Sequence, residues 1–175
     1  MSNKNYRAKK VGELIVTVPS NFNLEPFAVV FGGLYYATPS WMMSQVPESL
    51  LTSKPFVFAP WGYTIDEIKK RIRGIKINSV SGFSKGGLRA YPAIGQGYNF
   101  VGLIDPSIEG SYSSVQIPSG EDVVMVYQKG RTWGSGPLKH AINKLKQSGS
   151  DDIYAVSLGH SEIPKFFFNK FGDKL

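Results

Sequence analysis

Gly82-Phe-Ser-Lys-Gly86 is the segment of this chain best suited to covalent chemistry. It follows an apolar run, Ile75-Lys-Ile-Asn-Ser-Val80, and precedes residues that can coil into a helix. A strand, a G-x-S-x-G turn and a helix, in that order, present a serine hydroxyl as a nucleophile. The turn is tight, so the positions two before and two after the serine must be nearly bare of side chain, and glycine meets that demand. Such a serine needs a base, an acid to orient the base, and donors for the oxyanion that forms on attack.

The elements that must position these groups are legible as apolar runs and punctuation. Leu14-Ile-Val-Thr-Val18, ending at Pro19, reads as a strand. Pro26-Phe-Ala-Val-Val-Phe31 and Pro55-Phe-Val-Phe-Ala59 are continuous apolar runs, the pattern of buried parallel strands. Thr64 and Glu67 form a capping-box pattern for a helix carrying Ile65, Ile68 and Ile72 on one side, and Gly74 stops it. Leu34 to Val46 is rich in aromatics and Met but has no clear period. Further strands are expected at Phe100–Ile104, Val123–Tyr127 and Ile153–Ser157. Helices are expected from Lys85 to Ile94, after Gly136-Pro137, and from Ser161 on, where Pro164 falls in the tolerant first turn. The alternation predicts an α/β domain with a mainly parallel twisted sheet and helices on both faces. Right-handed crossovers put the strand-to-helix loops on one edge, and ligands bind at that carboxyl edge.

Four loci fall on that edge: Gly32-Gly33, Ser84, Asp105 and His160. They supply donors, nucleophile, acid and base. Among the acids, Glu13, Glu121, Asp122, Asp151 and Asp152 precede strands, which places them on the opposite edge. Asp66, Glu67 and Asp173 belong to helices or the tail, Glu25 and Glu48 sit in loops upstream, and Glu162 follows His160 too closely to orient its ring. Asp105 and Glu109 remain, with Asp105 nearer the strand end. Each residue also has an ordinary reading: Ser84 as a plain turn residue, His160 as a structural or surface histidine, Asp105 as the first residue of an Asp-Pro turn. His140, on the helix after Pro137, reads as structural.

Gly82-Phe-Ser-Lys-Gly86, with the chain order Ser84, Asp105, His160, resembles the α/β-hydrolase superfamily in its small esterase-like members. The opening, Leu14 to Pro19 followed by Pro26 to Gly33, is similar to the start of esterases and depolymerases. The resemblance implies a three-layer sandwich and a cofactor-free serine hydrolase acting on a carboxylic ester or related acyl bond; the brevity of the chain leaves no room for a large cap, so the site is expected to be open or partly covered by Leu34 to Ser53. By the same resemblance Ser84 attacks, His160 carries the proton, and backbone N–H groups of Lys85 and of Gly33 or Leu34 hold the oxyanion. Tyr35, Trp61 and Trp133 are candidates for lining the substrate pocket. Two departures stand out. The oxyanion loop lacks the His-Gly often found there. The stretch after the strand before the last, where the acid commonly sits, is Gln128-Lys-Gly-Arg131 and holds no carboxylate; Asp105 occupies an alternative place one strand earlier. The rival reading is a non-catalytic binding or structural protein on the same scaffold.

Composition bounds the rest. The chain has 175 residues, 42% hydrophobic and 19% charged, which suits one soluble domain with a sizeable core. The absence of cysteine excludes disulfides and thiolate metal sites. Nothing approaches a membrane span, and the N-terminus has no apolar signal core, which tilts the expectation toward the cytoplasm. Net charge is +7, drawn partly from Lys4, Arg7, Lys9 and Lys10, so residues 1–10 read as a basic arm before a domain at 11–175. That arm, with Lys69 to Lys76, is the one feature that could attract nucleic acid or another polyanion; a solvated face is the plainer account.

Overall fold

The computed structural model describes residues 4–23, 25–108, 117 and 119–175. Eight strands form one sheet in the order β1-β2-β4-β3-β5-β6-β7-β8. They are β1 (Tyr6–Val11), β2 (Leu14–Pro19), β3 (Phe27–Phe31), β4 (Phe56–Ala59), β5 (Ile77–Phe83), β6 (Phe100–Ile104), β7 (Asp122–Gln128) and β8 (Ile153–Val156). The first two pairings are antiparallel and the others parallel, so the expected mainly parallel sheet is found.

Side chains along the buried strands alternate between two cores, as the period of two requires. Val29, Phe31, Val57, Val101, Val123 and Met125 belong to one core. It includes Ile68 of α3 (Ile65–Arg71), Ala90 of α4 (Gly87–Ala90), and Leu138, Ala141 and Leu145 of α5 (Ser135–Gln147). Ala28, Val30, Phe56, Phe58, Val124 and Val126 belong to the other. There they meet Met42 of α1 (Pro39–Ser44), Leu51 of α2 (Glu48–Leu51), and Phe167, Phe168 and Phe171 of α6 (Ile163–Phe171). Helices therefore cover both faces.

Local signals account for some helix ends. Thr64 Oγ1 accepts the Glu67 N–H at 3.1 Å, and Pro164 sits in the first turn of α6. The stretch expected as one helix from Lys85 to Ile94 is helical throughout but changes pitch, with 3-10 turns at Ser84–Gly86 and Tyr91–Ala93 around α4. The aperiodic Leu34–Val46 region forms α1, capped by Thr38.

The N-terminal reading needs correction. Residues 6–11 are not a free arm but an edge strand, paired with β2 from Tyr6↔Pro19 to Val11↔Leu14. A division after residue 10 would cut through it. Arg7, Lys9 and Lys10 are exposed, and lysine along a sheet edge discourages further strand addition. Among the described residues no helix is long and apolar enough to cross a membrane.

Parallel register brings the functional ends level. Phe31 pairs with Gly82, Phe83 with Ile104, Ile104 with Val126, and Gln128 with Val156. After β3 the chain turns to α1 on one face; after the adjacent β5 it turns to α4 on the other. Neighbouring loops that leave in opposite directions open a crevice at the carboxyl edge, the usual ligand position in such sheets.

Candidate active site

Ser84 follows β5 with a left-handed φ of 55°. A non-glycine residue there is strained and persists only where its surroundings impose it. Here the imposition is steric. A Cβ on Gly82 would overlap the Gly86 carbonyl, and one on Gly86 would overlap the Phe31 carbonyl. The Ser84 carbonyl accepts the Ser107 N–H at 2.7 Å, tying the turn to the loop after β6. Strain is concentrated here: among the described residues, the non-glycine positions with positive φ are Tyr35 (56°), Ser84 (55°) and Asp105 (37°). All three sit at the carboxyl edge.

Asp105 is fully buried after β6. Its N–H donates to the Val126 carbonyl at 2.7 Å. Its Oδ1 accepts the Gln128 N–H at 2.9 Å and Arg131 Nη1 at 2.9 Å. Its Oδ2 lies 2.6 Å from His160 Nδ1. Burial pushes the carboxyl pKa up, but the His160 and Gln128 hydrogen bonds and the Arg131 charge outweigh it and hold the group below the usual range. Asp105 is therefore an anion that fixes the imidazole through Nδ1 and leaves Nε2 for another proton.

His160 opens a 3-10 turn after β8, with its side chain 28% exposed. Phe83 lies against one side of its ring at 4.6 Å, and Trp133 meets it edge-on at 5.1 Å. Glu162 is occupied locally: its Oε2 accepts the Gly159 N–H at 2.7 Å. Glu109, the alternative acid, lies outside the described residues.

Ser84 and His160 line one cavity of about 290 Å³, together with Leu34, Tyr35, Tyr36, Phe83, Lys85, Ser107 and Trp133. Among the described residues no hydrogen bond joins Ser84 Oγ to His160; the two share a cavity without being bonded. Such bonds often tighten only when substrate binds. Burial, then the Asp105 charge, raises the Tyr36 hydroxyl pKa, so it stays a neutral donor. A larger groove of about 430 Å³ lies between α3 and the helical stretch after Ser84. Neither serine nor histidine lines it, so chemistry rather than size singles out the smaller one.

Two expectations fail. Gly33 is not available as an oxyanion donor, because its N–H is given to the Ala37 carbonyl at 3.0 Å. Its bareness serves packing instead, since a Cβ there would stand 2.9 Å from Ser84 Cβ. Leu34 N–H donates to no backbone carbonyl among the described residues, and Lys85 N–H lies in the first turn after Ser84. Trp61 does not line the cavity: its carbonyl accepts Arg89 Nε at 2.8 Å, and Lys85 Nζ lies 6.0 Å from its ring. Tyr35 and Trp133 do line it.

Sequence reasoning missed Arg131. Its side chain is 2% exposed, its Nη2 donates to the Pro106 carbonyl at 2.8 Å, and its guanidinium lies 3.8 Å from the Trp133 ring. The one available signal was an arginine in the loop where a carboxylate was sought.

No protein-family model and no curated protein matches this chain. Solved structures do. A carboxylesterase from Mesorhizobium loti is 9% identical over 96% of this chain and 99% of that one, with a TM-score of 0.62. The esterase domain of a Rhodothermus marinus protein is 10% identical over 96% of each chain, with a TM-score of 0.64. A ferulic acid esterase from the anaerobic fungus Anaeromyces mucronatus is 14% identical over 97% and 91%, with a TM-score of 0.57. At these identities the likeness is one of fold.

Proposed function

We propose that this chain, which has the α/β-hydrolase fold, is a serine hydrolase that cleaves a carboxylic ester or related acyl bond. One observation carries the reading: a strained Ser84 shares a cavity with a histidine whose Nδ1 is held by a buried aspartate.

Ser84 Oγ attacks the acyl carbonyl while His160 Nε2 takes its proton. Asp105 holds the ring orientation and balances the imidazolium charge without itself being protonated. The oxyanion lies between the N–H groups of Lys85 and Leu34, each worth about 3 kcal/mol in such sites. His160 then protonates the departing alkoxide, leaving an acyl-serine. A water molecule, deprotonated by the same imidazole, releases the acid and regenerates Ser84.

The cavity also speaks to substrate. The large hydrophobic side chains exposed among the described residues are Leu34, Tyr35, Tyr36 and Trp133, and all four line it. An exposed apolar cluster rimming a polar centre marks a binding site. It suits an ester with a compact apolar or aromatic group.

The test is labelling of the intact protein by a fluorophosphonate probe, with turnover of p-nitrophenyl acetate and butyrate. Labelling that disappears in Ser84→Ala, with the fold retained by circular dichroism, is the expected result. A wild-type protein that neither labels nor turns over these esters overturns the reading in favour of a non-catalytic binding scaffold.

A further inference from the structure

Arg131 occupies the loop after β7, the place where the resemblance commonly puts the acid. It brings a positive charge to a site whose working base must be neutral. A buried arginine is costly unless its charge is matched and its donors are used. Here one prong meets Asp105 Oδ1 and the other the Pro106 carbonyl, so the guanidinium spans two consecutive residues of the loop after β6, while its buried Nε has no partner among the described residues. That loop holds Asp105 at a φ of 37°. With Oδ1 taken by Arg131 and Gln128 N–H, only Oδ2 faces the imidazole. Trp133 completes the link, with Arg131 over its ring and His160 against its edge.

We propose that Arg131 is a positioning residue for the hydrolytic site: it fixes which Asp105 oxygen meets His160. The proposal rests on the hydrolase reading above. Fixing Asp105 preserves the ring orientation needed for proton transfer. Arg131 is the cation bonded directly to Asp105.

Two variants separate geometry from charge. Arg131→Met removes both; Arg131→Lys keeps the charge and loses the two-pronged grip. The readouts are kcat and KM for p-nitrophenyl acetate, and the downfield proton resonance of the His160 Nδ1–H. The resonance is recorded in a Ser84→Ala background so that it does not depend on turnover. The chain has only two histidines, so His140→Gln assigns the signal. In Arg131→Met, kcat falls roughly 10- to 100-fold with little change in KM. The His160 Nδ1–H resonance broadens or vanishes. Arg131→Lys, which keeps the charge but not the two-pronged grip, recovers only part of kcat and of the resonance. A Met variant with an unchanged kcat and an unchanged resonance overturns the proposal. So do equal losses in both variants that simply follow melting temperature. A wild type without esterase activity or labelling overturns the hydrolase reading instead, and the resonance still reports whether Arg131 orders the Asp105–His160 pair.

Discussion

The two ends of the parallel strands each carry a cleft with serines, aspartates and a cation, yet they are built on opposite terms. At the amino edge, Ser148, Ser150, Asp122 and Asp152 line a cleft of about 200 Å³. Lys174 reaches Asp122 at 2.8 Å and Asp152 at 3.9 Å, with these side chains 37–44% exposed. At the carboxyl edge, the Arg131–Asp105 pair has exposures of 2% and 0%. Water screens the first pair, so its net worth is small; the second has no water to fall back on. Ser150 Oγ simply donates to the Val123 carbonyl at 3.3 Å, whereas Ser84 is held in a strained backbone beside an oriented imidazole. Residue types alone do not make a site. Burial, strain and second partners distinguish these two.

The largest expected effect tests the buried end. Asp105→Asn lowers kcat roughly 10³- to 10⁴-fold, because the amide no longer holds the imidazole in its working tautomer. It also leaves Arg131 without its counter-charge, costing about 3–5 kcal/mol at neutral pH in denaturant titrations. A loss below tenfold in kcat would remove the contrast between the two edges.

The pH dependence of that stability sharpens the contrast. The folded Asp105 carboxyl titrates below its ordinary value of 3.8. Its contribution is therefore complete above that ordinary value and is lost as pH falls through the depressed one. The stability gap between wild type and Asp105→Asn stays constant through mildly acidic pH and closes only in stronger acid. A gap that closes near neutrality contradicts this.

Substrate contact belongs to one edge only. Tyr35→Ala raises KM for p-nitrophenyl benzoate roughly 2- to 10-fold. Ser150→Ala leaves steady-state kinetics unchanged. The smallest effect lies in the exposed pair: Lys174→Met changes stability by about 0–1 kcal/mol and fades further in high salt.

Much of this was legible in one dimension. Unbroken apolar runs such as Phe56–Ala59 fit buried strands because both faces of the sheet are covered. Gly82 and Gly86 betray a turn that excludes side chains, and Asp105 emerged by eliminating acids from the wrong edge. Other features were illegible for definite reasons. Arg7-Ala-Lys-Lys10 lacks an apolar alternation, and its strand is made by backbone pairing with β2. Gly33 looked like a donor because nothing local announces that Ala37 will accept its N–H. Nothing local marks Arg131, because its partners lie more than 20 residues away.

Strand-versus-helix periodicity and the bare turn around Ser84 are properties of the chain itself, since each depends on residues a few positions apart, and the order of Ser84, Asp105 and His160 is read directly along it. Which aspartate oxygen faces the imidazole, which glycine N–H is already taken and why an arginine stands beside the acid were settled only in three dimensions. Those outcomes depend on contacts between distant loops, where exclusion of water gives charge and hydrogen bonding their strength.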